Sequence, residues 1–114
     1  MTDLTPIEHR MRKALEKAGI YAEPQYSLLT ANGKEFKMDF AIVHRKIDIE
    51  CDGIKFHTKL HQIERDRRRT KTLNAKGWKV LRFSSADIYH RIDFCISEIK
   101  KTMGKRYYET TKLE

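Results

Sequence analysis

The chain has 114 residues, 39% of them hydrophobic, which suits one compact domain and leaves no room for a second one of similar size. Lys and Arg number 24 against 16 Asp and Glu, for a formal net charge of +8. Such an excess favours a polyanionic partner, with nucleic acid first and an anionic membrane surface second. A ribosomal or chaperone-like protein whose charge serves only solvation fits the composition equally well, so the motifs must decide.

The cysteines and the apolar runs exclude several classes of protein. Cys51 and Cys95 have no CxxC spacing, which argues against a disulfide framework and against a four-ligand zinc site, and the cytoplasm is the expected location. No apolar run approaches the roughly 18 residues that span a bilayer, and the first residues lack a continuous apolar segment. We therefore expect neither export nor insertion into a membrane.

The first predicted element is a helix over residues 5–18. Thr5 is a cap residue, Pro6 suits the first turn, and Glu8 completes the capping-box pattern. Apolar residues recur behind them at helical spacing, and Gly19 ends the helix.

Two strands joined by a tight turn follow the helix. Residues 25–29 alternate weakly, and Asn32 with Gly33 forms the dipeptide typical of turns between antiparallel strands. In the second strand the alternation places Asp39 opposite an apolar face, which is predicted to consist of Phe36, Met38, Phe40 and Ile42.

The third strand, residues 46–52, alternates strictly. Its apolar side chains point one way, and the other face carries a stripe of three carboxylates, Asp48, Glu50 and Asp52. Gly53 ends this strand, and a loop that contains His57 leads to the next element.

The second half of the chain predicts a parallel crossover. A basic helix over residues 62–76, closed by Gly77, precedes a strand over residues 78–83, and a helix between two strands implies that they are parallel. A last helix, capped within residues 84–87, carries an apolar stripe from Ile88 to Met103. The tail from residue 105 to 114 shows no periodicity and is expected to fray.

These elements give the order α-β-β-β-α-β-α in one domain, residues 1–104. The predicted class is α/β in the broad sense, or α+β, with a four-stranded mixed sheet flanked by helices.

The carboxylate stripe breaks the expected pattern of its strand. A strand in a parallel crossover is normally buried on both faces and reads as an apolar run, and buried carboxylates that repel each other are costly unless a cation compensates them. An exposed edge strand with a polar face is the alternative. The position of Asp39 favours the interpretation with a bound cation. Antiparallel neighbours across a short turn can bring Asp39 onto one face with Glu50, which lies eleven positions later. Such oxygen ligands suit Mg²⁺ or Mn²⁺, which polarise phosphates and activate water.

At this point the sequence resembles a known family. The segments TPIE, MDFAI, IECDGIKFH, the RDRRR helix and GWKVLRF, in this order over residues 5–99, are similar to small restriction-endonuclease-like proteins of the PD-(D/E)XK superfamily that are related to very-short-patch repair endonucleases. The resemblance implies their fold and makes Asp39 and Glu50 the metal-binding acids of the second and third strands. Glu8 matches the glutamate that the family carries on its first helix, although capping alone explains it equally well.

One position departs from the wider superfamily, which has a lysine two residues after the acid of the third strand. Asp52 occupies that position here, as expected within the short-patch-repair-like branch, and the identity of the general base stays open. His57 matches the histidine of that branch and is a candidate to act on the water or on the leaving oxygen, together with Asp52.

The basic helix is expected to contact the phosphate backbone. Asp66 faces inward and is predicted to pair with Arg69 or Arg82. No groove-reading motif is present, so the basic side chains should hold phosphates and not read bases, although a solvated charge run explains any single one of them nearly as well. The predicted DNA-binding residues are Arg65, Arg67, Arg68, Arg69 and Lys71.

The leading hypothesis is a divalent-metal-dependent endonuclease that hydrolyses phosphodiester bonds in DNA, as a nickase or as a double-strand cutter, in repair, restriction or mobile-element and phage DNA processing. The alternative is a nuclease-fold module that has lost catalysis and only binds DNA. Because one site cuts one strand, a homodimer or an accessory DNA-recognition protein is compatible with the first hypothesis.

Overall fold

The computed structural model describes residues 3–53 and 60–112, with side chains as far as residue 105. His57, a predicted catalytic residue, lies outside the described residues. None of the described helices is both long enough and apolar enough to cross a membrane.

The first helix, α1, spans Pro6–Lys17 and begins as predicted. Thr5 caps it, and Thr5 and Glu8 exchange side-chain to backbone hydrogen bonds in a capping box. Gly19 follows with a φ of +73°, the left-handed conformation that favours glycine after a helix. Met11 and Leu15 face the core, so α1 packs through the predicted stripe.

Four strands form one mixed sheet in the order β1-β2-β3-β4. They are β1 (Glu23–Leu29), β2 (Glu35–Ile42), β3 (Ile47–Asp52) and β4 (Lys79–Ser84). The pairs β1–β2 and β2–β3 are antiparallel, and β3–β4 is parallel, as the crossover predicted. A short 3₁₀ turn, Val43–Arg45, joins β2 to β3. The strand with the carboxylate stripe is therefore central, which rules out the edge-strand alternative.

Helices cover both faces of the sheet. The larger apolar cluster contains α1 residues and side chains of the two C-terminal helices, packed on Ile47, Ile49 and Phe83. The smaller cluster, on the other face, contains Leu73 of α2 (Leu60–Ala75) and Trp78. The fold is α+β, with a mixed four-stranded sheet and flanking helices, as the sequence predicted.

The strand β2 changes sidedness in its middle, and the prediction that its four apolar residues share one face is wrong. Phe36 and Met38 belong to the smaller cluster, whereas Phe40 and Ile42 belong to the larger one. The change falls at Asp39, whose backbone N–H bonds to a side chain of β3. A local break in the ladder lets the strand rotate, so simple alternation fails there.

The predicted last helix is divided in two. Helix α3 spans Ser85–His90, capped by Ser84, and α4 spans Ile92–Lys112. Arg91 between them has φ −137° and ψ 42°, which is not helical. The backbone of α4 continues to Lys112, so the predicted frayed tail after residue 104 is helical over most of its length. The apolar stripe did not show this break, because Ile88, Cys95 and Ile99 all face the same core.

Candidate active site

Asp39 and Glu50 are interlocked across the two central strands. The backbone N–H of Asp39 donates to Oε2 of Glu50 at 3.3 Å, and Oδ2 of Asp39 accepts from the backbone N–H of Cys51 at 2.8 Å. The carboxylate of each residue therefore accepts a hydrogen bond from a backbone N–H on the strand that carries the other residue. The structure brings these two predicted residues together on neighbouring strands.

Glu8 reaches the same place from α1. Its side chain is 8% exposed, caps the helix through Oε1, and accepts from Nε2 of Gln25 at 3.4 Å through Oε2. After burial and the charge of Glu50, the nearby carboxyl of Glu8 also raises the pKa of Asp39. Glu8 thus caps the helix and also lies near the Asp39 carboxylate, and its predicted role in the site stays a prediction.

Gln25 was not predicted as a site residue. It has a φ of +53°, in the left-handed region that residues other than glycine rarely adopt, and it lies between the register pairs Pro24–Phe40 and Tyr26–Met38, which flank Asp39. Strained backbone conformations cluster at functional sites. Sequence alternation gives no signal for such a conformation at a glutamine.

Asp48 and Arg69 form a buried ion pair beside Glu50. Asp48 is fully buried, and Nη1 of Arg69 lies 3.1 Å from its Oδ2. Nη2 of Arg69 lies 3.7 Å from Oε2 of Glu50 and donates to the carbonyl oxygen of Lys37 at 2.6 Å. Arg69 therefore ties α2 to β2 and β3. It points inward, since it lies one helical turn before Leu73 on the buried side of α2, and its predicted contact with DNA stays a prediction.

The third carboxylate of the stripe has a different partner. Oδ2 of Asp52 lies 3.6 Å from Nη1 of Arg82, and the same nitrogen lies 3.9 Å from Oδ2 of Asp66. Nη2 of Arg82 donates to the hydroxyl of Thr70 at 3.2 Å. The predicted pairing of Asp66 is confirmed with Arg82 as its partner. Asp52 lies at the end of β3, next to the segment that contains His57.

The electrostatics of the site favour protonated carboxyl groups in the metal-free protein. Burial, and after it the charge of Glu50, raises the pKa of Asp39 to about 7, although the Cys51 N–H opposes this shift. Burial and then Asp48 raise the pKa of Glu50 to about 9, against the influence of Arg69. Burial also raises the pKa of Asp48, while its bond with Glu50 acts in the opposite direction. In the hydrogen bond between Asp48 and Glu50, the proton therefore resides on Glu50.

Asp48 explains where that proton is held. Its Oδ1 atom is buried and has no hydrogen-bond donor among the described residues. A proton on Glu50 supplies such a donor, since Glu50 and Asp48 point to the same face two residues apart. Asp48 was recognised in the stripe but not as a neighbour that controls Glu50.

The donor set suits a hard divalent cation. Asp39 and Glu50 present carboxylate oxygens from rigid strands, and their raised pKa values mean that ionising both without a cation is costly. Among residues 3–53 and 60–105, no group of three or more His, Cys, Asp or Glu side chains is arranged to hold a metal. Mg²⁺ commonly binds through one or two carboxylates, with water and substrate phosphate completing its shell, so this pair fits it.

The exposed face of α2 carries the other predicted DNA contacts. Arg65, Arg67, Arg68 and Lys71 are all exposed. Of these, Arg67 and Lys71 line a cleft between α2 and β4, and Arg65 and Arg68 do not.

Comparisons with known proteins agree with this architecture. The family REase_MTES_1575 matches residues 7–103. The catalytic domain of the homing endonuclease I-Bth0305I has a similar structure, with a TM-score of 0.70 and 20% sequence identity, and the alignment covers 90% of this chain and 98% of that domain. A comparison with curated proteins finds no match.

Proposed function

Since the chain belongs to the restriction endonuclease family REase_MTES_1575, we propose that it is a DNA endonuclease that depends on Mg²⁺ or Mn²⁺. The interlocked pair of Asp39 and Glu50 is the observation that carries the proposal. Membership of this family identifies the chain as a nuclease. The dependence on a metal, the DNA substrate and the relation to short-patch-repair enzymes are parts of the proposal. The free, buried cysteines accord with a reducing cytoplasm.

In this mechanism Asp39 and Glu50 hold the cation, and Glu8 borders them. When bound, the cation supplies polarisation of the phosphate and a lower pKa for the attacking water. Arg69 fixes Glu50 and the backbone of β2, so the carboxylates need little reorganisation when substrate arrives. Asp52 and His57 are the proposed groups for proton transfer.

The contacts of Arg69 support a second candidate function, a DNA-binding module without catalytic activity. Arg69 already neutralises part of the acidic cluster, and a fixed cation beside a carboxylate competes with a metal ion for it. A module of this kind would bind DNA without cutting it, and its affinity would not depend on Mg²⁺.

Cleavage of supercoiled plasmid DNA tests both candidates. We expect cutting with Mg²⁺ or Mn²⁺ and none with EDTA, and Asp39→Asn and Glu50→Gln should each reduce the rate by at least about a hundredfold. Asp93→Asn, at an exposed carboxylate of α4, is the matched control and should cut normally. Relaxed circles as the first product indicate nicking, and direct linear product indicates a dimer or paired action. Metal-independent binding without cutting would favour the second candidate.

A further inference from the structure

A cleft of about 440 Å³ lies between α2 and β4. Its lining combines Ile63 and other apolar side-chain surface with charged and hydrogen-bonding groups, and the residues used below are Asp66, Arg67, Thr70, Lys71, Asn74 and Arg82.

The cleft adjoins the carboxylates on the same face of the sheet. Arg82 is the register partner of Glu50 on the neighbouring parallel strand and contacts Asp52 at 3.6 Å. Neighbouring strands lie about 4.8 Å apart. One DNA strand can therefore contact both the cleft and the strand that carries Glu50.

The charges in the cleft favour an anion. Arg67 and Lys71 are exposed and lie one helical turn apart, so their side chains can converge on one group. Arg82 is held at the β4 side by Asp52, Asp66 and Thr70. The lining thus carries three cations and the carboxylate of Asp66, and because Arg82 also contacts Asp52, the attraction for an anion comes chiefly from Arg67 and Lys71.

The polar groups suit a phosphodiester. Phosphate oxygens accept hydrogen bonds from Arg and Lys and also from Thr and Asn side chains, and such contacts fix the position of a strand without reading its sequence. Thr70 and Asn74 provide the neutral donors.

We propose that this cleft binds a backbone phosphate of the DNA strand that lies at Asp39 and Glu50, next to the bond that is cut. The proposal rests on the proposed function. It divides the basic helix into two sets: Arg67 and Lys71 contact a phosphate directly, and Arg65 and Arg68 contribute only long-range charge.

Two double variants of equal charge test this division. Arg67→Gln/Lys71→Gln removes the cleft cations, and Arg65→Gln/Arg68→Gln removes two exposed cations of the same helix that do not line the cleft. Binding of a fluorescently labelled 20-base-pair duplex is measured in EDTA, which prevents cutting, between about 50 and 200 mM salt. Thermal melting verifies that both proteins are folded.

We expect the cleft variant to lose about tenfold or more in affinity relative to the control variant. The slope of log K against log salt should become shallower by about 1 to 2, since one or two phosphate contacts are lost. Equal losses of affinity and slope in the two variants, or a larger loss in the control, would overturn the proposal.

Cleavage assays on the same proteins separate this inference from the proposed function. If the unaltered protein cuts plasmid with Mg²⁺ and the two variants bind alike, the cleft assignment fails and the nuclease assignment stands. If it does not cut and the cleft variant alone loses DNA, the phosphate site stands and the catalytic assignment fails.

Discussion

The backbone N–H of Asp39 donates to the side chain of Glu50 at 3.3 Å, and this bond replaces a rung of the ladder at the point where β2 changes sidedness. Together with the bond from the Cys51 N–H to Oδ2 of Asp39, it holds both carboxylates in one partly buried region. Their ionisation is therefore coupled to each other and to folding.

The stability of the metal-free protein should fall as the pH rises. Burial raises the pKa of Asp39 in the folded protein to about 7, from an ordinary 3.8, and that of Glu50 to about 9, from an ordinary 4.5. The stabilisation from the neutral carboxyls is complete below the lower values and is lost as the pH rises through about 7 and then about 9. Each proton contributes a slope of up to about 1.4 kcal/mol per pH unit.

Chemical unfolding between pH 5 and 9 measures this dependence. Asp39→Asn should flatten it, because the amide does not ionise, and Asp93→Asn should leave it unchanged. Mg²⁺ should stabilise the protein more strongly at high pH, where it no longer competes with protons. A stability that is constant over this range in the unaltered protein would contradict the burial argument.

The regular patterns of the sequence predicted most of the fold. Alternation in β3 placed Ile47 and Ile49 in the core and Asp48 on the other face, and the capping box began α1 at Pro6. These elements follow local rules, so a single sequence carries enough information to place them.

The site itself was predicted less completely, because it departs from those rules. The prediction from alternation treated β2 as regular along its whole length. It did not include the change of sidedness at Asp39, because that change depends on a side chain of another strand. Arg69 was predicted as a DNA contact or as the inward partner of Asp66, whereas its partner in the structure is the buried carboxylate of Asp48. Its spacing of four residues from Leu73 was the available signal.

Arg69→Ala should destabilise the protein by about 3–5 kcal/mol. It leaves Asp48 fully buried without its cation, and such uncompensated buried charges are among the most costly changes. Arg69→Lys keeps the charge but cannot reach Asp48 and the Lys37 carbonyl together, so an intermediate loss is expected. Urea unfolding provides the measurement.

The exposed neighbour offers a control for this prediction. Arg68→Ala on the same helix should change the stability by no more than about 0.5 kcal/mol. If Asp48→Asn and Arg69→Ala have strictly additive effects in the double variant, the two side chains are not coupled, and the proposed role of Arg69 in fixing the site is lost.

His57→Ala should slow DNA cleavage by about a hundredfold to ten-thousandfold while metal binding is retained, since general acid or base assistance has this magnitude. His44→Ala, at an exposed position in the 3₁₀ turn, serves as the control. A defect that disappears at saturating DNA indicates a phosphate contact. If both rate and affinity are unchanged, Asp52 becomes the better candidate for orienting the water.

Glu8 allows its two roles to be separated by substitution. Glu8→Gln should preserve the helix start, because glutamine also completes a capping box, and the stability should change little. It removes a charge that raises the pKa of Asp39, so that pKa should fall. Cleavage should slow, and the rising limb of its pH profile should move to lower pH.

Thr5→Ala is the complementary variant. It removes the hydroxyl that caps α1 and leaves the carboxylate of Glu8 in place, so the free energy of unfolding should drop by about 1 kcal/mol. Its cleavage rate and pH profile, measured well below the unfolding temperature, should match those of the unaltered protein. If Glu8→Gln behaves as the unaltered protein in both rate and pH profile, the carboxylate is needed only to begin the helix, and Asp39 and Glu50 remain as the acidic residues of the site.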